Sequence, residues 1–232
     1  MNYNKFLLLA TLICAPAVTR AVTVITSLPF TITAPGAYVL ESNLTANGTD
    51  GIHVNASNVL IDLGGYTITD SQDPDENGDN GISVFGTNVT VQNGTINNFI
   101  WGVLLLTSAS ASNDTVKNIH IFNIWAAGVE VEANASIIEN CIMVGSPASD
   151  DFPVGINVDA GWVLAKCNQI SECFYGISTV GNLTIPSALI GNYEANCACG
   201  LVLDEGTKYQ RNVTTNCTPP VSGGIAVGRE NG

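Results

Sequence analysis

The chain of 232 residues carries 20 acidic against 7 basic side chains, a net charge of −13, with 46% hydrophobic and 12% charged residues. That balance excludes nucleic acid and anionic membrane surfaces as partners, because like charge repels both. A composition rich in Gly, Asn, Thr, Val and Ile excludes a helical bundle and a disordered chain alike.

The chain begins Met1-Asn2-Tyr3-Asn4-Lys5 and runs into an apolar stretch, Phe6 to Val18. Ala15-Pro16-Ala17 and Thr19-Arg20-Ala21 both suit cleavage, so residues 1–21 read as a secretory signal peptide, too short for a membrane span. Cys14 follows Ile13, not the small residue of a lipoprotein signal. The expected protein is secreted, extracellular or at the cell surface, with the periplasm as the bacterial equivalent. Without Lys5 and Arg20, five basic residues face 20 acidic ones, a net charge of −15. This disfavours polyuronate substrates unless calcium bridges them.

Residues 22–50 hold short β-type runs, Phe30-Thr31-Ile32-Thr33 and Tyr38-Val39-Leu40, around the turn Ala34-Pro35-Gly36. They are expected to form an N-terminal cap and first strands. A glycine phrase then repeats through residues 51–232. Gly51, Gly81, Gly102, Gly128, Gly155, Gly176, Gly200 and Gly224 each open an apolar-alternating strand, at spacings of 30, 21, 26, 27, 21, 24 and 24. Such a period is one solenoid turn with loop insertions. Each unit has a second β run, such as Val59-Leu60-Ile61-Asp62-Leu63 or Val89-Thr90-Val91. Asparagine clusters between runs, where it suits sharp corners and is expected to stack in ladders. The reading is one all-β domain, a solenoid of about eight coils.

The unit Asn168-Gln169-Ile170-Ser171-Glu172-Cys173-Phe174-Tyr175-Gly176-Ile177 is the best copy of an Asn-x-Ile/Val-x-x-Asn/Cys-x-x-Gly-Ile/Val repeat. The stretches Pro35 to Leu40 and Val59 to Ile68 are similar to the opening coils of the same group. On these residues the chain, from about residue 24 onward, resembles the right-handed, single-stranded parallel β-helices of the pectin-lyase-like superfamily. The resemblance implies the fold. It does not imply one activity, because that fold hosts lyases, hydrolases, epimerases, adhesins and inert scaffolds.

The enzyme motifs are incomplete. Lyases of this group use Arg or Lys as base, whereas Lys166, Lys208, Arg211 and Arg229 are scattered. The polygalacturonase-like pattern is matched only by Asp150-Asp151. The epimerase-like Asp-Pro-His-Glu is approached by Asp73-Pro74-Asp75-Glu76, which lacks the histidine that titrates near neutrality.

Outward positions of the glycine strands alternate with inward ones. Stacking them predicts the pairs His53/Asn55, Ser83/Phe85, Leu104/Leu106, Glu130/Glu132, Asn157/Asp159, Ser178/Val180 and Val202/Asp204. Glu130, Glu132 and Asp159 are therefore the candidate catalytic carboxylates. Asn157, Asp150, Asp151 and Trp162 are candidate substrate contacts. Adjacent carboxylates hold calcium or divide acid and base roles on a sugar; a solvated polar face also has such residues. Trp101, Trp125 and Trp162 are sugar-stacking candidates, although Trp101 and Trp125 sit beside repeat glycines and suit stacking within the coil.

Asp73, Asp75, Asn77 and Asp79, with Gly78, place oxygen ligands and a glycine as a calcium loop does, but Val84 stands where the bidentate Glu belongs. Ca²⁺ is the one cofactor considered, and none is required. In an exported chain, Cys141, Cys167, Cys173, Cys197, Cys199 and Cys217 are disulfide candidates. Aligning glycines sets Asn168 over Asn192, Glu172 over Asn196 and Cys173 over Cys197. Cys141 and Cys217 are expected to extend that column, with Cys167 and Cys199 left over and the pairing open. The Asn-x-Ser/Thr sites Asn43, Asn47, Asn55, Asn88, Asn93, Asn113, Asn134, Asn182, Asn212 and Asn216 are glycosylation candidates.

The missing motifs favour a non-enzymatic exported scaffold or surface protein, carbohydrate-binding or self-associating end to end through its last coil. The alternative is a carbohydrate-active enzyme, a hydrolase, lyase or epimerase, working through the acidic patch.

Overall fold

A computed structural model describes residues 21–72, 79–106, 112–146, 152–179 and 186–227. The expectations on residues 1–20 and on Asp73, Asp75, Asn77, Asp150, Asp151, Val180 and Asn182 fall outside these residues. Among the described residues every regular element is a β-strand and the strand pairings are parallel.

The glycine-led segments form a nine-stranded sheet, from Phe30–Ile32 to Val221–Ser222. A second ladder runs from Val22–Ile25 to Ile225–Ala226, and a third from Leu44–Ala46 to Val213–Thr215. The long strands Val89–Asn97 and Thr115–Ile124 pass from the second ladder into the third and join them as one 16-stranded sheet. Each turn of the chain thus visits three faces, and the whole is a parallel β-solenoid. The strands from Val22–Ile25 to Leu44–Ala46 already supply all three ladders.

Apolar alternation positions the core. On the glycine sheet, Ile52, Ile82, Val103, Val129, Ile156, Ile177 and Leu201 are fully buried and stack in register. On the third face Ile68, Ile96, Ile121, Met143 and Ile170 make the matching column. Burying each such side chain contributes roughly 1.5–3 kcal/mol.

Where the two columns meet, only glycine fits. A Cβ at Gly102 would lie 2.6 Å from the Gly128 carbonyl oxygen and 2.6 Å from Ile121 Cγ2. The same contact recurs from Gly51 to Gly81, Gly81 to Gly102, Gly128 to Gly155, Gly155 to Gly176 and Gly176 to Gly200. The repeat glycines are therefore a packing requirement. Gly224 does not belong to the column: Pro220 takes that place against Gly200, and Ile225–Ala226 pairs on the second ladder with Lys208 and Tyr209. The glycine of the last repeat serves instead as a left-handed turn, with φ of 72°.

Asparagine makes the corners, as expected. Asn58, Asn88 and Asn113 form one left-handed column, Asn93, Asn118 and Asn140 a second, and Asn98, Asn123, Asn196 and Asn216 a third. Several pair along the solenoid, as Asn88 Nδ2 does to Asn58 Oδ1 at 2.8 Å. A buried ladder runs inside. Asn168, Asn192 and Asn212 each donate Nδ2 to a carbonyl, of Ile138, Ala165 and Leu189 respectively. The Asn192 and Asn212 Oδ1 atoms accept from the backbone and amide of the asparagine one coil back. Asn212 is only 4% exposed with its amide committed to this ladder, which removes it from the glycosylation candidates. Cys141 sits at the head of this ladder, its backbone N–H donating to Asn168 Oδ1 at 3.0 Å.

One member of the third-face column breaks the pattern. Glu194 follows Ile170 in register, is fully buried, and neither carboxyl oxygen has a hydrogen-bond partner. Burial raises its pKa from 4.5 to about 8, so the folded chain carries a neutral acid here.

Two outcomes follow from this packing. Gly102→Ala or Gly128→Ala forces the coils apart and lowers stability by about 2–4 kcal/mol, read by denaturant unfolding. Between about pH 4.5 and 8 the folded state holds the Glu194 proton that the unfolded state releases, so stability falls as pH rises through that window. Glu194→Gln removes this slope and raises the unfolding midpoint at pH 9 by roughly 5 °C or more; an unchanged pH profile in calorimetry contradicts it.

Candidate functional site

The outward columns of the glycine sheet stack as the alternation requires. His53, Ser83, Leu104, Glu130, Asn157, Ser178 and Val202 are successive neighbours in the register. Glu130 and Glu132 therefore share one outward strand face, beside Asn157 and Asp159 on the next coil. The Asp159 backbone N–H reaches Val131 carbonyl at 2.9 Å, which sets Asp159 beside Glu132. Strand rise and ladder spacing separate the Glu130 and Asp159 Cα atoms by roughly 8 Å.

The three carboxylates are not equivalent. Glu130 is half-buried, while Glu132 and Asp159 are exposed. Burial raises the Glu130 pKa to about 7; a 2.8 Å hydrogen bond from Asn157 Nδ2 to Oε1 opposes this, and the charges of Asp159 and Glu132 add to it. Asp159 is also raised, by burial. The patch thus offers one carboxyl that is protonated near neutrality beside an exposed pair, the condition under which one group donates a proton and another stays a base.

Trp162 lies three residues beyond Asp159 at the following corner, 59% exposed and with φ of 59°. A bulky side chain in the left-handed region is a costly outlier. Trp101 opens a glycine-sheet strand and is half-buried, and Trp125 Nε1 donates to Asn98 Oδ1 at 3.4 Å, so both serve the coil.

Of the calcium-loop residues only Asp79 is described. It is buried, and its pKa rises to about 6 through burial, a hydrogen bond and charge from Asp70, and the charge of Asp50. Among the described residues no group of three or more His, Cys, Asp or Glu side chains is arranged to hold a metal. Asp70, Asp114 and Glu194 were not among the candidates, yet all three are buried carboxyls. The signal for them is in the pattern, since each occupies an inward position where its strand alternation calls for an apolar residue. Nor was the pairing of His53 Nε2 with Asp50 Oδ2 at 2.7 Å, between an outward strand position and the turn just before that strand.

All six described cysteines are free thiols. Cys173, Cys197 and Cys217 do share a column, two residues beyond the register Ser171, Ala195 and Thr215. Cys141 does not extend it, because it stands at the asparagine-ladder corner instead. Cys199 opens a glycine-sheet strand and Cys167 occupies an exposed left-handed corner. Burial pushes the Cys141 and Cys197 thiols up to about 12, and Cys173 higher still.

No sequence-family model and no curated protein matches the chain. Solved structures match by fold, among them a crystal structure of pectate lyase Pel9A, at 13% identity and a TM-score of 0.40, covering 85% of this chain and 71% of that one. The likeness is one of fold alone, and the solenoid stands on the strand registers themselves. Among the described residues no helix is long and apolar enough to cross a membrane.

Thiol access separates these cysteines. Under native conditions at pH 8, iodoacetamide labels Cys167, while Cys141, Cys173 and Cys197 react only after unfolding. Peptide mass spectrometry reads the result, and rapid native labelling of Cys141 contradicts the assigned burial.

Proposed function

We propose that this protein is an exported, non-enzymatic β-solenoid that binds glycan on the coils carrying Glu130 and Asn157. The observation that carries this reading is Trp162, an exposed aromatic in a strained backbone conformation beside a row of outward hydrogen-bonding groups. An aromatic face with flanking carboxylates and amides matches the two surfaces of a sugar ring, one of C–H groups and one of hydroxyls. End-to-end association belongs to the same scaffold reading. Calcium is assigned to the loop of Asp73, Asp75, Asn77 and Asp79 on its all-oxygen donor chemistry.

A second reading is favoured by one observation, the Glu130 pKa of about 7 beside exposed carboxylates. In it Glu130 protonates a departing glycosidic oxygen while Asp159 activates water. Carboxyls of inverting glycosidases stand about 6.5–9.5 Å apart, a separation open to side chains whose Cα atoms lie roughly 8 Å apart.

A panel of polysaccharides, with and without Ca²⁺, separates the two. Binding scored by tryptophan fluorescence, weakened about tenfold by Trp162→Ala and unaccompanied by new reducing ends, supports the scaffold. Turnover that Glu130→Gln or Asp159→Asn lowers at least about 100-fold, with a limb lost above about pH 7, sinks the scaffold and establishes the hydrolase.

A further inference from the structure

A second surface feature lies at the opposite end of the same strands. A cleft of about 400 Å³ opens at the corner that leads into Val154–Val158 and Tyr175–Thr179. Phe152, Pro153, Phe174, Glu172, Asn196 and Ala198 line it. Its volume falls in the roughly 300–1,000 Å³ range of small-ligand sites.

Three features of its walls bear on what it takes. The first is an aromatic wall. The Phe152 ring stands 4.5 Å from Phe174 by centroid, and Phe174 stands 4.7 Å from Tyr175, both edge-on. Phe152 is nonetheless 62% exposed, which withholds a large apolar face from the core. The second is backbone strain. Phe152, Glu172 and Asn196 all have φ between 53° and 56°. At this corner the other left-handed residues, Asn98, Asn123 and Asn216, are asparagines, which tolerate the conformation; Glu172 and Phe152 do not share that tolerance. The third is a polar row in the same lining. Asn196 Nδ2 donates to Glu172 Oε1 at 2.9 Å, and Asn216 Nδ2 donates to Asn196 Oδ1 at 3.0 Å. These bonds hold the carboxylate and amide in fixed orientations at the cleft surface.

We infer that this cleft is a subsite for one uncharged pyranose unit, stacked on Phe152 and held through its hydroxyls by Glu172 and Asn196. The ring wall meets the C–H face of a sugar, and the Glu172 carboxylate with the Asn196 amide offers both acceptors and donors for hydroxyl groups. No lysine, arginine or histidine lines the cleft, and Glu172 brings a negative charge, so uronic, sulfated and phosphorylated units are rejected. The subsite rests on the glycan reading of the glycine sheet and specifies its ligand as neutral.

The test is isothermal titration of the full chain with cellohexaose, mannohexaose and xylohexaose, and with a galacturonic acid hexamer as the charged comparator. At least one neutral hexamer binds wild type, and the charged hexamer binds at least about tenfold more weakly. Phe152→Ala weakens the neutral ligand about tenfold and Glu172→Gln severalfold, with unchanged circular dichroism and unfolding midpoint, since both side chains are exposed. Loss of binding in Phe152→Ala with full binding in Trp162→Ala leaves the cleft standing while the reading of the outward sheet fails. Loss in Trp162→Ala with Phe152→Ala within about twofold of wild type overturns the cleft and spares that reading. No binding of any neutral hexamer by wild type, or preference for the charged one, also overturns it.

Discussion

From Gly51 to Gly176 each repeat glycine presses its Cα against the carbonyl of the next glycine, and the rest of the solenoid depends on that approach. Neighbouring strands stand about 4.8 Å apart in a ladder, and around Gly102 no space remains for one more carbon. Inward isoleucines of the third face, such as Ile96 and Ile121, fill the volume a side chain would have taken. A slip of one residue would drive a Cβ into that carbonyl and turn every inward side chain outward. Register is thereby locked along the whole stack. The outward positions, which bear no part of this packing, become a regular array whose rows are coils and whose columns are sequence positions. Glu130 meets Asn157 because Gly128 meets Gly155.

The corners obey a weaker constraint, and that weakness makes them informative. Each needs a residue with positive φ, and asparagine fills most of these places at little cost. Where another residue stands, the backbone strain is of order 1–3 kcal/mol and something else must offset it. Cys167 and Arg211 are such exceptions on the second corner column. Ala135, Trp162, Phe152 and Glu172 are the others, at the two ends of the glycine-sheet strands. Trp162 and Phe152 lie at opposite ends of Val154–Val158, so the coil that presents Asn157 and Asp159 is bracketed by exposed aromatics.

Period-two alternation and the glycine phrase made the ladders legible, including the outward neighbours Leu104, Glu130, Asn157 and Ser178. Their reach ended where local spacing and coil position diverge. Gly224 opens a phrase that looks like the others, yet the chain between Cys199 and Gly224 is cut short by Pro219 and Pro220, and its strand lands one face away. Cys141 resembles Cys173 in sequence, following a β run and an Asn or Glu, but it lies one corner earlier, a difference only three-dimensional closure reveals. Asn212 satisfies a glycosylation pattern that says nothing of burial. The aromatic cleft was hidden for a related reason, because Phe152 and Phe174 are 22 residues apart and meet only when their coils stack.

Raised carboxyl pKa values alone do not single out a site in this molecule. Glu194 reaches about 8 and Asp114 about 6, each through burial, and each is sealed inside the coil. Their protons reach neither a ligand nor bulk water without opening the stack, so their chemistry is expressed as stability. Glu130 reaches about 7 from an outward position, with one face buried by its neighbours and another open to solvent. Asn157 donates to its Oε1, while burial first, and then the charges of Asp159 and Glu132, raise its proton affinity. What distinguishes it is access combined with a shifted proton affinity, and the locked register supplies both: it places Glu130 outward and sets two further carboxylates beside it.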